Sequence, residues 1–397
     1  VADPSHVILS FNSGSSSDKF ALRRLSTDGE KLLAEGEVEG IGRGNGRLWI
    51  RDGGGAMLSD TVRSFSNGAD ALDALFDEFS NLTVRLRLPH PDAIGHRLVH
   101  GGPHHFAPER VTPELMEQLR ALIPFAPLHL PVEIEGIEAL GSRFPERPQV
   151  ACFDTGFHHQ MPEVARRFAL PRVLWDQGLW RYGFHGISYE YIMQALGPAA
   201  PARIVIAHLG NGASMAAVLK GRSIDTTMGF TPTGGLMMGT RSGDLDPGLM
   251  VYLMNHNGYD GRRLERLVNH ESGLLGVSAI SSDVKTLLEE RAVEPNAALA
   301  IEMFCYQVRK QIGALAAVLG GLDLLVFTGG IGERAAAVRL EVCRGLEFLG
   351  IALDTERNEA HADTISSPDG KCAVRVIPTN EDLMIARQTR RVIFGAV

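Results

Sequence analysis

Residues 7–25 read VILSFNSGSSSDKFALRRL, and residues 204–222 read IVIAHLGNGASMAAVLKGR. Each stretch is an apolar strand candidate, a turn of small residues and a second strand candidate. In the first, residues 7–11 and 20–25 flank the turn at 12–17. In the second, residues 203–207 and 215–219 flank the turn at 208–214. A third strand at 31–38 completes a β-meander in the first copy, and residues 223–226 lead outward after Gly221 in the second. This is a weak internal repeat. Two such units facing each other would form a cleft between them. Chance similarity between two hairpins is the competing reading at this level.

Outward from the repeat, strands and helices interleave, which sets the class as α/β. Helical spacing marks 68–79, and residues 93–99 form a strand ending in His100–Gly101–Gly102. Thr112, Pro113 and Glu114 make a helix start: a cap, a proline in the first turn and an acid near the dipole. A strand at 149–153 ends in Asp154, and residues 292–319 are a long helical candidate split by Pro295. A buried strand at 322–327 runs into TGGIGE, with helical residues 334–345 beyond it. The strand at 374–377 precedes a last helix at 381–391. Residues 41–55 are glycine-rich and read as loop or hairpin.

At 397 residues the chain exceeds the roughly 250–300 at which single cores stop growing, so two domains are expected. A 44% hydrophobic content excludes disorder as the main state, and 44 glycines exceed the usual ~7% without a collagen period. Asp and Glu number 47 against 39 Lys and Arg, a formal charge of −8, which argues against nucleic acid as partner. The four cysteines form no CxxC pair, so neither a disulfide framework nor a zinc cluster is expected. The opening VADPSH lacks a basic segment followed by an apolar one. The longest apolar run falls short of the ~18–20 residues of a membrane span. A soluble, cytoplasmic protein with no membrane partner is the expectation.

Three glycine-rich turns sit at strand ends: 12–17, 208–212 and 328–333. Backbone N–H groups in such turns can close on phosphates, so three of them point to a nucleotide; a hairpin that merely prefers small residues is the plainer alternative for each. No Lys follows a GxxxxG spacing, so none is a P-loop. Arg97 in GHRLVHGG and Arg241 in MGTRSGD carry planar forks suited to carboxylate or phosphate. Asp154 and Glu381 end strands, where acids often hold Mg²⁺ beside phosphates, although helix capping explains Glu381 equally well. No HExxH or three-histidine spacing exists.

The segments FNSGSSSDKF, GHRLVHGG, FAPLHLP, FDTGFHHQMP, YGFHGIS, HLGNGAS, MGFTPTGGLMMGTRSGDLDP, SGLLG, VFTGGIGE and IPTNEDLMIA, in this order, resemble the acetate kinase family of the acetate and sugar kinase, heat-shock and actin superfamily. The resemblance implies a duplicated actin-like (ribonuclease H-like) fold, with two domains around a nucleotide cleft. It places residues 1–154 in an N-terminal domain completed by helix 383–397, and residues 155–382 in a nucleotide-binding domain. The implied reaction is reversible transfer of the ATP γ-phosphoryl to acetate, giving acetyl phosphate and ADP, with Mg²⁺ (or Mn²⁺) in a homodimer. Propionate or butyrate kinase is the near alternative; a sugar or polyphosphate enzyme and a non-catalytic actin-like assembly protein are more distant ones.

By the same resemblance Asn12 and Glu381 hold the metal with the nucleotide phosphates. Arg97 and Arg241 clamp the acyl carboxylate and the transferring phosphoryl group. His185 donates to that phosphoryl, Asp154 is its acidic partner, and His129 is a second active-site histidine. Val99, Leu128, Phe184 and Pro232 form the pocket for the acyl methyl. The nucleotide lies along His208, Leu209, Gly210, Asn211 and Gly212, along Asp283, Val284 and Lys285, and along Gly329, Gly330, Ile331, Gly332 and Glu333. The sequence departs from the family's usual pattern at Leu130 (usually Asn), at Gly156 and Gln160 (Ala and Thr), at Ile187 and Tyr189 (Thr and His), at Lys285 (Arg) and at Arg334 (Asn).

Overall fold

The computed structural model describes residues 5–14, 17–42 and 44–395. The chain divides into two compact units, one of Val1–Gly156 with Asn380–Val397 and one of Phe157–Thr379. The breaks after residues 156 and 379 place Glu381 in the first unit, with Asn12 and Arg97.

Among its described residues the first unit holds eight strands: β1 (His6–Ser13), β2 (Ser17–Ser26), β3 (Gly29–Glu39), β4 (Gly46–Asp52), β5 (Met57–Arg63), β6 (Ala93–Leu98), β7 (Glu109–Arg110) and β8 (Gln149–Phe153). Their order across the sheet is β5-β4-β3-β2-β1-β6-β8-β7. The second unit holds β9 (Arg203–Leu209), β10 (Ala213–Leu219), β11 (Arg222–Thr226), β12 (Leu324–Thr328) and β13 (Ala373–Val376), in the order β11-β10-β9-β12-β13.

The two sheets share one plan. In each, the first strand pairs antiparallel with the second, and the second with the third. In each, a later strand then adds parallel to the first, and another parallel to that. Thus β3-β2-β1-β6-β8 and β11-β10-β9-β12-β13 are the same topology. The repeat between residues 7–25 and 204–222 is the start of a duplicated actin-like fold. The first unit extends its sheet by β4 and β5, so residues 41–55 hold a strand, and its hairpin partner β5 lies beyond them. That hairpin's turn is fixed by Asp52, whose Oδ1 accepts the N–H groups of Gly54 and Ala56 at 2.9 Å.

The first core lies between one face of its sheet and the helix Gly68–Leu86, where Phe11, Phe20, Phe76 and Phe79 meet edge-on or tilted. The opposite face receives the last helix, Glu381–Phe394, which buries Leu383, Met384, Ile385, Ala386 and Thr389 against β1, β2, β6 and β8. In the second unit β9 and β12 are buried along their whole central length, as strands covered on both faces must be. The helix Gly186–Leu196 covers one face. The helix Pro295–Leu319 covers the other through a stripe that includes Ile301, Phe304, Cys305, Val308, Ile312 and Leu315. Pro295 does not split this helix but opens it, at a position whose N–H needs no partner. The segment after β12 also differs from expectation: Gly329–Arg334 is itself a helical turn, followed by Ala336–Cys343.

No helix among the described residues is long and apolar enough to cross a membrane.

Candidate active site

In the first unit, β1, β6 and β8 are parallel neighbours, so their carboxyl ends lie side by side. Ligands of open α/β sheets bind at such ends. Asn12 comes from β1, Arg97 from β6, and Asp154 follows β8 directly. Arg97 joins them. Its Nε and Nη2 donate to Asp154 Oδ2 at 3.0 and 2.5 Å, and its Nη1 donates to Asn12 Oδ1 at 3.2 Å. Burial works against the Arg97 charge, but Asp154 above all, with Glu381, outweighs it and keeps the guanidinium protonated. Asp154 is fully buried, and its Oδ1 has no hydrogen-bond partner among the described residues.

Glu381 opens the last helix, one residue after its cap Asn380, whose side chain accepts the Leu383 N–H at 3.0 Å. Capping is therefore done by Asn380. Loss of solvent pushes the Glu381 carboxyl well above the usual range, against the pull of Arg97. Val99 is buried just past β6, and Leu128 and His129 lie half-buried where the helix Leu130–Arg143 begins. Leu130, in place of the family's usual Asn, is fully buried. The turn after β1 is closed by Gly14 N–H donating to Ser17 O and by Ser13 Oγ donating to Asp18 Oδ1 at 2.6 Å. Ser15 and Ser16 of that turn lie outside the described residues.

In the second unit, β9 and β12 are parallel with Thr328 opposite His208, so HLGNG and TGGIGE leave the sheet at the same end. Gly329 has φ +75°, and a Cβ there would stand 2.7 Å from Leu209 O. Only glycine lets the two loops approach this closely. Glu333 Oε1 accepts the N–H groups of Gly329 at 2.9 Å and Thr379 at 3.0 Å, so this carboxylate pins the loop. Asp283 caps the helix Val284–Glu290 by accepting from Lys285 and Thr286 N–H. Val284 is buried beneath that cap, and Lys285 is exposed.

His185 sits in the left-handed region at φ +58°, a strained conformation for a residue with a Cβ. Its ring stacks on His208 at 4.3 Å, and its Nδ1 bonds Ser214 Oγ at 2.9 Å. Tyr189 OH bonds the same oxygen at 2.5 Å. Tyr189, a departure from the family pattern, is thereby tied to His185. His208 Nδ1 in turn bonds Ser188 Oγ at 2.8 Å. A Cβ on Gly212 would stand 3.3 Å from His185 Nε2 and 3.6 Å from Arg241 Nη1. His185 and Arg241 therefore flank one small space that the glycine leaves open. Arg241 Nη1 also donates to Pro232 O at 3.0 Å. The buried Phe184 is held through its carbonyl, which accepts from His158 Nε2 at 3.1 Å.

The structure thus gathers Asn12, Arg97, Asp154 and Glu381 in one unit, and His185, His208, Gly212, Arg241 and Pro232 in the other. Two residues of weight were missed from sequence. Glu133 is buried and accepts the Val99 N–H with both oxygens, at 3.1 and 3.2 Å. Burial raises its carboxyl to about 8, with Arg97 opposing. Its signal was an acid on the apolar stripe Leu130, Ile134, Ile137, Leu140. Arg339 is fully buried and donates to the carbonyls of Gly332, Glu333 and Asn358 and to Asn358 Oδ1, at 2.8 or 2.9 Å. No spacing rule would have singled it out.

A positively charged fork with buried oxygens at one set of strand ends, and close-packed glycine loops at the other, suit anionic substrates and a phosphate-bearing nucleotide. Known proteins match along nearly the whole length. The family model described as "Acetokinase family" matches residues 7–387. A protein of Rhodopseudomonas palustris named acetate kinase is 48% identical, over 98% of this chain and 99% of its own. One of Carboxydothermus hydrogenoformans, also named acetate kinase, is 42% identical over 97% and 99%. Among solved structures, the acetate kinase of Porphyromonas gingivalis superposes with a TM-score of 0.86 at 38% identity, covering 98% of this chain and all of that one. A propionate kinase from Francisella tularensis superposes with 0.89 at 36% identity and the same coverage.

Proposed function

The chain belongs to the acetokinase family, and on that premise we propose that it moves the γ-phosphoryl group of ATP reversibly to acetate, giving acetyl phosphate and ADP. The observation that carries this reading is the match from residue 7 to 387, which takes in both sheets and every motif.

The chemistry asks little of a base. A carboxylic acid with pKa of about 4–5 is already ionised at neutral pH. The obstacle is bringing one anion up to another, which positioned cations relieve. Arg97, half-buried and held by Asp154 and Asn12, is suited to the acyl carboxylate. Val99 beside it supplies an apolar wall, with Leu128 and His129 nearby in sequence to the next helix. In the other unit Arg241 and the Nε2 side of His185 are suited to the phosphoryl oxygens, and Phe184 and Pro232 to the acyl methyl. The loops 208–212 and 329–333, with 283–285, take the nucleotide.

No group of three or more His, Cys, Asp or Glu among the described residues is placed to hold a metal by itself. Mg²⁺ keeps waters and binds through one or two carboxylates plus substrate phosphates, so it does not need one. Asp154 Oδ1, without a hydrogen-bond partner among the described residues, and the desolvated Glu381 carboxyl are hard oxygen donors, and with Asn12 they fit it. Bound there with the nucleotide, Mg²⁺ would offset phosphate charge.

The propionate kinase superposition favours a second reading, a slightly longer acyl substrate. One methylene changes selectivity by only ~10–200-fold. A coupled ADP-release assay with acetate, propionate and butyrate separates the two by kcat/KM, and absence of turnover with all three would overturn both. A homodimer in the cytoplasm completes the proposal; sedimentation at micromolar protein tests the assembly.

A further inference from the structure

Strand β6 ends at Leu98, whose carbonyl accepts the Asp154 N–H, and the chain then leaves the sheet. Val99 is buried there, so its N–H needs an acceptor that no strand supplies. Glu133 reaches it from the helix Leu130–Arg143 with both carboxyl oxygens. This contact sits two residues from Arg97 and on the residue assigned to the acyl wall.

We propose that Glu133 is a positioning residue for the acyl substrate, fixing the turn that carries Arg97 and Val99 and setting how strongly Arg97 receives an incoming carboxylate. This rests on the acyl-kinase reading above. Its helix packs on β1, β6 and the helices Gly68–Leu86 and Pro113–Ala121, and the charges that bear on it are Arg97 from β6 and Asp154 from the end of β8. Arg97 already faces Asp154. A second full negative charge beside it would compete with the substrate anion. Burial keeps Glu133 protonated at neutral pH, with its pKa near about 8, so the competition is absent there and grows as pH rises. A carboxyl that only braced the fold would not distinguish acetate from ATP.

The test is steady-state kinetics of wild type, Glu133→Gln and Glu133→Leu from pH 6.5 to 9.5, varying acetate and ATP separately. The amide keeps an acceptor for Val99 and cannot ionise. Glu133→Gln should match wild type within about threefold at neutral pH, and should lose the rise in acetate KM that wild type shows through about pH 8. Glu133→Leu strands the Val99 N–H and should raise acetate KM roughly tenfold while ATP KM holds within about twofold. An unchanged acetate KM in Glu133→Leu, or the same alkaline rise in wild type and Glu133→Gln, overturns the proposal. If Glu133→Leu does not fold, the pH profile of Glu133→Gln decides. Wild type without acyl-dependent turnover would instead remove the parent reading, and the proposal with it.

Discussion

Arg97 places two donors, Nε at 3.0 Å and Nη2 at 2.5 Å, on one oxygen of Asp154, and leaves the other oxygen buried without a hydrogen-bond partner among the described residues. The guanidinium spans two partners at once, since Nη1 also reaches Asn12. A lysine ammonium is a point charge and cannot hold both and still meet a substrate carboxylate. Arg97→Lys should therefore lower kcat/KM for acetate by about 10²–10³ with folding intact. Circular dichroism and initial rates check this; a loss under about threefold would mean that charge alone suffices.

Arg241 makes a different prediction. It flanks the space beside Gly212 together with His185. If it meets charge that builds in the transition state, Arg241→Ala should cost about 10²–10³ in kcat and far less in ATP affinity. Rates paired with calorimetric ATP binding test it. Equal losses in both would assign Arg241 to nucleotide binding.

Ser214 links Tyr189 to His185 through one hydroxyl. Ser214→Ala removes one hydrogen bond to the His185 Nδ1 while the stacking on His208 remains. A single hydrogen bond is worth roughly 0.5–1.5 kcal/mol, so kcat should fall by about three- to tenfold. Tyr189→Phe should fall less, because Ser214 still holds His185. The reverse ranking would place the weight on Tyr189.

Arg339 ties the 329–333 turn to Asn358 from inside the core. Arg339→Met removes the donors to the Gly332 carbonyl and to Asn358 Oδ1, while Glu333 O and Asn358 O keep His361; at roughly 1–3 kcal/mol for each buried acceptor left unpaired, unfolding free energy should drop and ATP binding should weaken with it. Urea unfolding and calorimetry on one preparation measure both. Normal ATP affinity in a destabilised variant would confine Arg339 to the fold.

Asp18 carries a pH signature. Burial raises its carboxyl from 3.8 to about 6, with Ser13 and the Gly14 backbone opposing. A raised acid favours the folded state below its unfolded pKa, and that contribution is lost as pH rises through the folded value. The melting temperature of wild type relative to Asp18→Asn should thus decline between pH 4 and about 6 and level off above. A constant difference across that range would show that Asp18 does not titrate there.

Residue order alone makes the repeat, the α/β class and the motif positions legible. Apolar runs followed by glycine and small polar residues mark strand ends, because tight turns favour residues that reach positive φ or hydrogen-bond their own backbone. It also determined Arg97, Arg241, Asp154 and Glu381 as candidates, through residue type beside a strand end. What it could not weigh was partnership at long range. Asp154 and Arg97 are 57 positions apart and Glu133 and Val99 are 34 apart, and only parallel pairing of β1, β6 and β8 with the helix laid on them joins those groups.

The electrostatics follow from packing, because a carboxyl's pKa depends on the water it loses and the charges it meets. Glu133 looks like an ordinary helical acid until its helix is packed, and Glu381 looks like a cap until Asn380 takes that task. Tyr189 likewise reads as a departure from pattern until the covering of β9 and β10 by Gly186–Leu196 brings its hydroxyl to Ser214. Residue types are written locally, but hydrogen-bond partners and desolvation are properties of the packed chain.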